Sequence, residues 1–158
     1  MSYLIRTYQP GDEFGLSELI RTTLLQSNGK DYPLSILQPL IDYFSPEKVK
    51  ILAGERYCLV ALAAGRIVGT GALEDQELKT IFVLPEFQGK GIGKAIVQQL
   101  EAYARTKDIA FIHLPASITG KAFYLSLGYE EGETFMSEHA GQQTWMKKYL
   151  SPSETGED

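Results

Sequence analysis

The stretch Val83-Leu84-Pro85-Glu86-Phe87-Gln88-Gly89-Lys90-Gly91-Ile92-Gly93-Lys94 decides how this chain folds and what it can hold. The residues leading into it, 77–84, are β-branched and apolar enough to form a strand, which Pro85 closes. Beyond it, Ile92, Ala95, Ile96, Leu100 and Tyr103 fall on one stripe of a helix spanning residues 91–106. The glycines therefore sit where a strand hands over to a helix. The first N–H groups of a helix have no intrahelical acceptor and favour an anion. Glycines let a phosphate approach the backbone with no Cβ in the way. Lys90 and Lys94 add positive charge. The physical reading is a phosphate cradle long enough for a pyrophosphate.

Two other phosphate motifs fail. A dinucleotide fingerprint, G-x-G-x-x-G, would need glycine at Lys94 or at Ile96. A nucleoside-triphosphate loop, G-x-x-x-x-G-K-[ST], meets Gln88 where its first glycine belongs and Ala95 where its hydroxyl belongs.

Working outward, residues 57–63 and 66–73 read as two strands joined at Ala64-Gly65, with 77–84 as the third of a meander. Residues 109–114 follow the helix as a short buried strand. Ser117 is expected to cap a helix running to Leu127, and Gly128 stops it. Residues 129–135 and 142–149 fit two closing strands. Upstream, 3–8 suits a first strand, Asp12 the N-cap of a helix carrying Leu16, Leu19, Ile20, Thr23 and Leu24, and 34–54 one or two further helices restarted at Ser45-Pro46. The strand-helix-strand unit 77–114 implies a locally parallel pair. The expectation is one α/β domain over 1–150, with a mixed, mostly antiparallel sheet of seven strands flanked by helices. Residues 151–158 are expected to be a disordered acidic tail.

Composition narrows the function. The 158 residues are 44 % hydrophobic and 22 % charged, enough for a real core. The net charge is −5; the last eight residues hold three acids and no base, leaving −2 for the body. Such a body has no basic field for nucleic acid. No apolar run reaches bilayer length, and an Arg and a Pro interrupt the first ten residues where a leader needs an apolar stretch. A cytoplasmic protein with no membrane partner is expected. Cys58 is the single cysteine, set in an apolar run as a core thiol, and with His113 and His139 it makes no zinc set, so no metal is expected.

At Gln88, Gly91 and Gly93 the chain resembles the GNAT superfamily of N-acetyltransferases, whose signature is Q/R-x-x-G-x-G/A. The element order resembles that fold over nearly the whole chain. The segment Phe123-Tyr124-Leu125-Ser126-Leu127-Gly128-Tyr129 is similar to the family's F-Y-x-x-x-G-F/Y. The resemblance implies acetyl-CoA as cosubstrate. It also implies that Gln88, Gly89, Lys90, Gly91, Ile92, Gly93 and Lys94 surround the pyrophosphate, and that the backbone of Ile81, Phe82 and Val83 pairs with the pantetheine arm beside a strand bulge. Tyr124 is then the proton donor to the departing CoA thiolate.

Ser117, Lys121 and Tyr124 stand at i, i+4 and i+7, so they share a face of the expected helix, with Ile118, Ala122 and Leu125 as its core stripe. Ser117 and Lys121 are taken as cofactor contacts, Ser117 also by resemblance. An attacking amine must lose a proton. Glu77 is the candidate base, sharing a strand face with Lys79, Ile81 and Val83 if no bulge intervenes; a water relay is the alternative. His113 reads as a half-buried imidazole and His139 as a loop residue. Tyr32, Tyr43, Phe44 and Phe135 are candidates for an apolar acceptor pocket. The expected reaction is direct acetyl transfer to a primary amine of a small molecule or peptide, with a non-catalytic acyl-CoA-binding module of the same fold as the competing reading. The family often dimerises, so a homodimer is expected as one assembly.

Overall fold

Strands that read as near-continuous apolar runs are covered on both faces, and β2 (Tyr57–Ala63) and β3 (Arg66–Glu74) are such strands. In the computed structural model, which describes residues 2–152, they lie inside a seven-stranded sheet of order β1-β2-β3-β4-β5-β7-β6. The other strands are β1 (Leu4–Thr7), β4 (Glu77–Val83), β5 (Phe111–Ser117), β6 (Glu130–Ser137) and β7 (Gly141–Tyr149). Every pairing is antiparallel except β4 with β5. This is the mixed, mostly antiparallel α/β architecture expected from the sequence. From Ser153 onward the acidic tail lies outside the described residues.

The helices α1 (Glu13–Gln26), α2 (Leu34–Tyr43) and α3 (Pro46–Glu55) precede β2, α4 (Ile92–Thr106) joins β4 to β5, and α5 (Lys121–Ser126) joins β5 to β6. Leu16, Ile20, Phe44, Val49 and Leu52 meet Cys58, Thr70 and Ala72 on one face of the sheet. On the opposite face Ile92 and Ile96 of α4 close on Gly69, and Ile96 and Leu100 on Gly71. Ser45 caps α3 through its hydroxyl, which accepts from the Lys48 N–H, with Pro46 at the first helical position.

Asp12 occupies the N-cap position of α1 but does not cap it. Its carboxylate turns back to Arg6 (2.8 Å) and to the Gln9 N–H (2.8 Å), so its side chain ties β1 to the helix instead.

The parallel junction positions the site. β4 and β5 pair at one register point, Glu77 opposite His113. Beyond it β5 pairs with β7 through seven residues and β4 stays on β3. The sheet therefore splits between β4 and β5, leaving the edge of β4 that faces β5 without a strand partner.

Candidate active site

A cleft of about 660 Å³ runs through this split. Its walls come from the end of β4, the glycine turn, the start of α5, the end of β5, and α1–α2 on the other side. Tyr124, Ile81, Phe82, Val83, Gln88, Gly89, Gly91, Gly93, Lys94 and Ser117 all line it.

The glycine turn is built by backbone. Gly89 and Gly91 have φ of +77° and +88°, and Gly91 is the N-cap of α4. A side chain at φ > 0 costs about 1–2 kcal/mol, which explains glycine at both positions. A Cβ on either would meet nothing within 4 Å. Gly93 differs: its Cβ would come within 3.2 Å of the Phe123 ring, so glycine there lets α4 pack on α5. The first helical bond of α4 runs from the Ala95 N–H to the Gly91 carbonyl. Among the described residues the six N–H groups of residues 89–94 make no protein hydrogen bond, a consecutive run of free donors at the mouth of the cleft. Ile92 contributes only its backbone, since its side chain is fully buried in the core. Lys94 lines the cleft, whereas Lys90 is exposed outside the lining.

Gln88 orients the turn. Its side-chain amide donates to the Val83 carbonyl (2.8 Å) and to Ser27 Oγ at the end of α1 (3.0 Å). One side chain thus joins β4, the turn and the opposite wall. Ser27 was not foreseen, because its partner lies 61 positions away.

The strand bulge is present, and it corrects the shared-face expectation for Glu77. Ala72 pairs with Lys79, but Thr70 pairs with Phe82, so Thr80 and Ile81 together oppose Gly71; Thr80 has φ of +50°. The extra residue reverses the alternation. Lys79 and Phe82 point to the α1 side, while Ile81 and Val83 point to α4, where they approach the Cβ positions of Gly71 and Gly93. Glu77 lies where the strands still pair, ion-paired with Lys79 (3.3 Å), and is not among the lining residues.

The helix expected from Ser117 begins later. Ser117 is the last residue of β5, its hydroxyl accepts from the Gly120 N–H (3.0 Å), and α5 starts at Lys121. The strand runs to Ser117 because β7 supplies a partner at Gln143. Ser117, Lys121 and Tyr124 therefore do not share a helix face. Ile118 and Leu125 are exposed, and the inward side chains are Phe123, Tyr124 and Leu127. Lys121 is drawn away to Glu131 of β6 (2.7 Å) and does not line the cleft.

Tyr124 is buried between Phe123 and Tyr129, with edge-on rings at 5.0 and 5.8 Å. Its hydroxyl has no hydrogen-bond partner among the described residues, and burial holds its pKa well above the usual phenol range. A buried, protonated and unpartnered hydroxyl facing a cleft is available to a ligand. Tyr129 anchors the region: its hydroxyl donates to buried Glu101 of α4 (2.8 Å), which also holds Lys148 of β7 (3.2 Å).

The opposite wall is made of side chains. Leu24, Tyr32, Leu37, Leu40 and Phe44 line it with Phe82. Tyr32 ties three segments together. Its hydroxyl donates to the Gln142 carbonyl (2.6 Å) at the start of β7 and accepts from the Ile118 N–H (2.8 Å). Tyr43 is outside, half exposed against Phe44, and Phe135 stacks on Trp145 elsewhere on the sheet. His113 stacks on the same Trp145, away from the cleft, and His139 is exposed. Cys58 is buried with its thiol pKa raised by burial. Among the described residues no acid–histidine–cysteine cluster could hold a metal, and no helix is long and apolar enough to cross a membrane.

Fold and site together define a family of acyl-transferring enzymes. The GNAT acetyltransferase domain matches residues 33–150, and the chain belongs to that family. An uncharacterized N-acetyltransferase of Methanocaldococcus jannaschii is 36 % identical over 63 residues, 38 % of this chain. The matched segment spans only 28 % of that relative's own length. Among solved structures, a GCN5-related N-acetyltransferase from Rhodopseudomonas palustris superposes with a TM-score of 0.87 at 20 % identity, covering 95 % of this chain and 97 % of that one. The PaiA N-acetyltransferase of Thermoplasma acidophilum, solved with coenzyme A, gives 0.80 at 21 % identity over 95 % and 100 %.

Proposed function

We propose that this chain is an acetyl-CoA-dependent N-acetyltransferase that moves an acetyl group directly to a primary amine in the cytoplasm. The observation that carries the reading is the run of six unpartnered amides at residues 89–94, opening into the same cleft as the unpartnered hydroxyl of Tyr124. The pyrophosphate accepts from those amides, with Lys94 adding charge. The open edge of β4 at Ile81–Val83 offers backbone groups to the pantetheine arm. Coenzyme A bound in a family neighbour supports the same choice of cosubstrate.

Acetyl-CoA supplies an activated thioester. The amine nitrogen forms a bond to the acetyl carbon, the carbon–sulfur bond breaks, and the Tyr124 hydroxyl gives its proton to the leaving sulfur. Burial keeps that proton on Tyr124 throughout the working pH range. A buried Cys58 outside this cleft supports direct transfer over an acyl-cysteine intermediate. Water carries off the amine's proton, since Glu77 is paired with Lys79 and does not line the cleft.

A thermal-shift titration tests the reading. Acetyl-CoA and free CoA at 100 times their Kd should add about 2.7 kcal/mol, raising Tm by roughly 5–10 °C, with little change from ATP. No rise with either CoA form at millimolar concentration would withdraw it.

A further inference from the structure

Resting on that reading, we infer that the acceptor is an apolar monoamine, a primary amine whose remaining body carries no second charge. Among the described residues, Lys94 at the phosphate end is the one charged side chain lining the cleft. The wall facing the acetyl end is Leu24, Leu37, Leu40, Phe44 and Phe82, with the Phe44 and Phe82 rings edge-on at 6.4 Å. Its polar side chains are neutral, and several are already engaged. Thr23 donates to the Leu19 carbonyl (2.7 Å), and the Tyr32 hydroxyl both donates and accepts within the protein. Among the described residues the Gln143 side chain has no protein partner and can orient the amine through a neutral hydrogen bond.

Among the described residues no carboxylate lines the cleft. Asp31 accepts from Thr119 at the rim (2.7 Å), Asp42 from Gln38 (2.9 Å), and Glu77 holds Lys79. A second ammonium entering this wall would lose its water and find no carboxylate among the lining residues, the situation that most disfavours a buried ion. The reacting amine escapes that penalty because it must be neutral to attack.

A matched pair isolates the effect. Hexylamine and 1,6-diaminohexane have the same reach and differ at the far end, methyl against ammonium. The full chain with saturating acetyl-CoA should acetylate hexylamine with a kcat/KM about 100-fold higher, the ratio expected for one uncompensated buried charge. Leu40→Glu should cut that ratio at least tenfold by supplying a counter-charge, and the thermal shift with acetyl-CoA reports whether the variant is folded. Equal or better turnover of the diamine by the wild-type chain would overturn the inference while leaving acetyl transfer standing. Binding of acetyl-CoA without acetylation of either amine would also overturn it. A chain that does not bind acetyl-CoA at all would bring down the underlying reading as well.

Discussion

On the cofactor side of the cleft the groups aimed inward are the amides of residues 89–94, fixed by two positive-φ glycines and a helix N-terminus. On the acceptor side they are side chains from α1, α2, the loop between them and the start of β7, held together by hydrogen bonds such as Tyr32 to Gln142, which span 110 positions. The first wall is a local backbone conformation and can be specified by a dozen consecutive residues. The second exists only once distant segments have packed. A wall of backbone donors suits one invariant group, a pyrophosphate. A wall of interchangeable apolar side chains can be refitted to a new acceptor with no change to the fold.

Tyr124 gives the largest expected effect, because it serves the chemistry and neither wall's binding. Tyr124→Phe should lower kcat by about 100-fold or more, as general-acid losses do, with the Kd for CoA within twofold. Removing a hydroxyl that has no protein partner among the described residues strands none of their groups, so Tm should hold. Burial raises the pKa of this tyrosine, so the protonated acid is retained as pH rises. The wild-type kcat should therefore show no loss through pH 10 from ionisation of the acid, where an unshifted phenol would begin to fail. A falling alkaline limb near pH 10 that Tyr124→Phe abolishes would contradict the buried hydroxyl, and an unchanged kcat in the variant would remove Tyr124 from the mechanism.

The backbone wall comes next. Gly91→Val forces a β-branched side chain into φ of +88°, a conformation costing of order 2 kcal/mol that shifting the turn would relieve. The amides then lose their aim, and calorimetry should show CoA affinity down by about 30-fold. No atom lies within 4 Å of the new Cβ, so the chain should still fold. Unchanged affinity would mean that the amides are not the phosphate site. Tyr32→Phe probes the other wall. It leaves the Gln142 carbonyl and the Ile118 N–H without their partner, a loss of about 1–2 kcal/mol. The amine's KM should rise by about five- to tenfold with the KM for acetyl-CoA unmoved. Equal changes in both constants would erase the distinction between the walls.

This distinction also explains what could be read from the sequence. The strand-turn-helix at 77–106 was legible because a period-two run, a proline, three glycines and a 3.6-residue stripe all lie in one window. Gln88 was legible as a motif residue, but not its bond to Ser27, which depends on where α1 ends. Ser117 was expected to start a helix because a serine before an apolar run resembles an N-cap. The β7 partner at Gln143 instead extends the strand through it, and a cross-strand partner cannot be seen in a local window. Lys121 was assigned by helical spacing from that false start, and Glu131 holds it elsewhere.

Glu77 is the smallest expected effect and the sharpest test of how the bulge is read. Uninterrupted alternation would carry its carboxylate onto the same face as Ile81 and Val83, the side of the sheet that α4 covers. The two-for-one pairing opposite Gly71 breaks that alternation and leaves Glu77 on the face of Phe82, but at the end of the split that remains closed, where it meets Lys79. Glu77→Gln keeps the shape of the side chain and removes its charge. The pair is partly exposed, and surface pairs of this kind contribute about 0–1 kcal/mol, so Tm should move little. If water carries the amine's proton, kcat should stay within twofold and the pH profile of kcat/KM should keep its acid limb. A fall of ten times or more, with that limb lost, would mean that the carboxylate leaves Lys79 and swings into the cleft when substrates bind, and the backbone wall would then include a side-chain base after all.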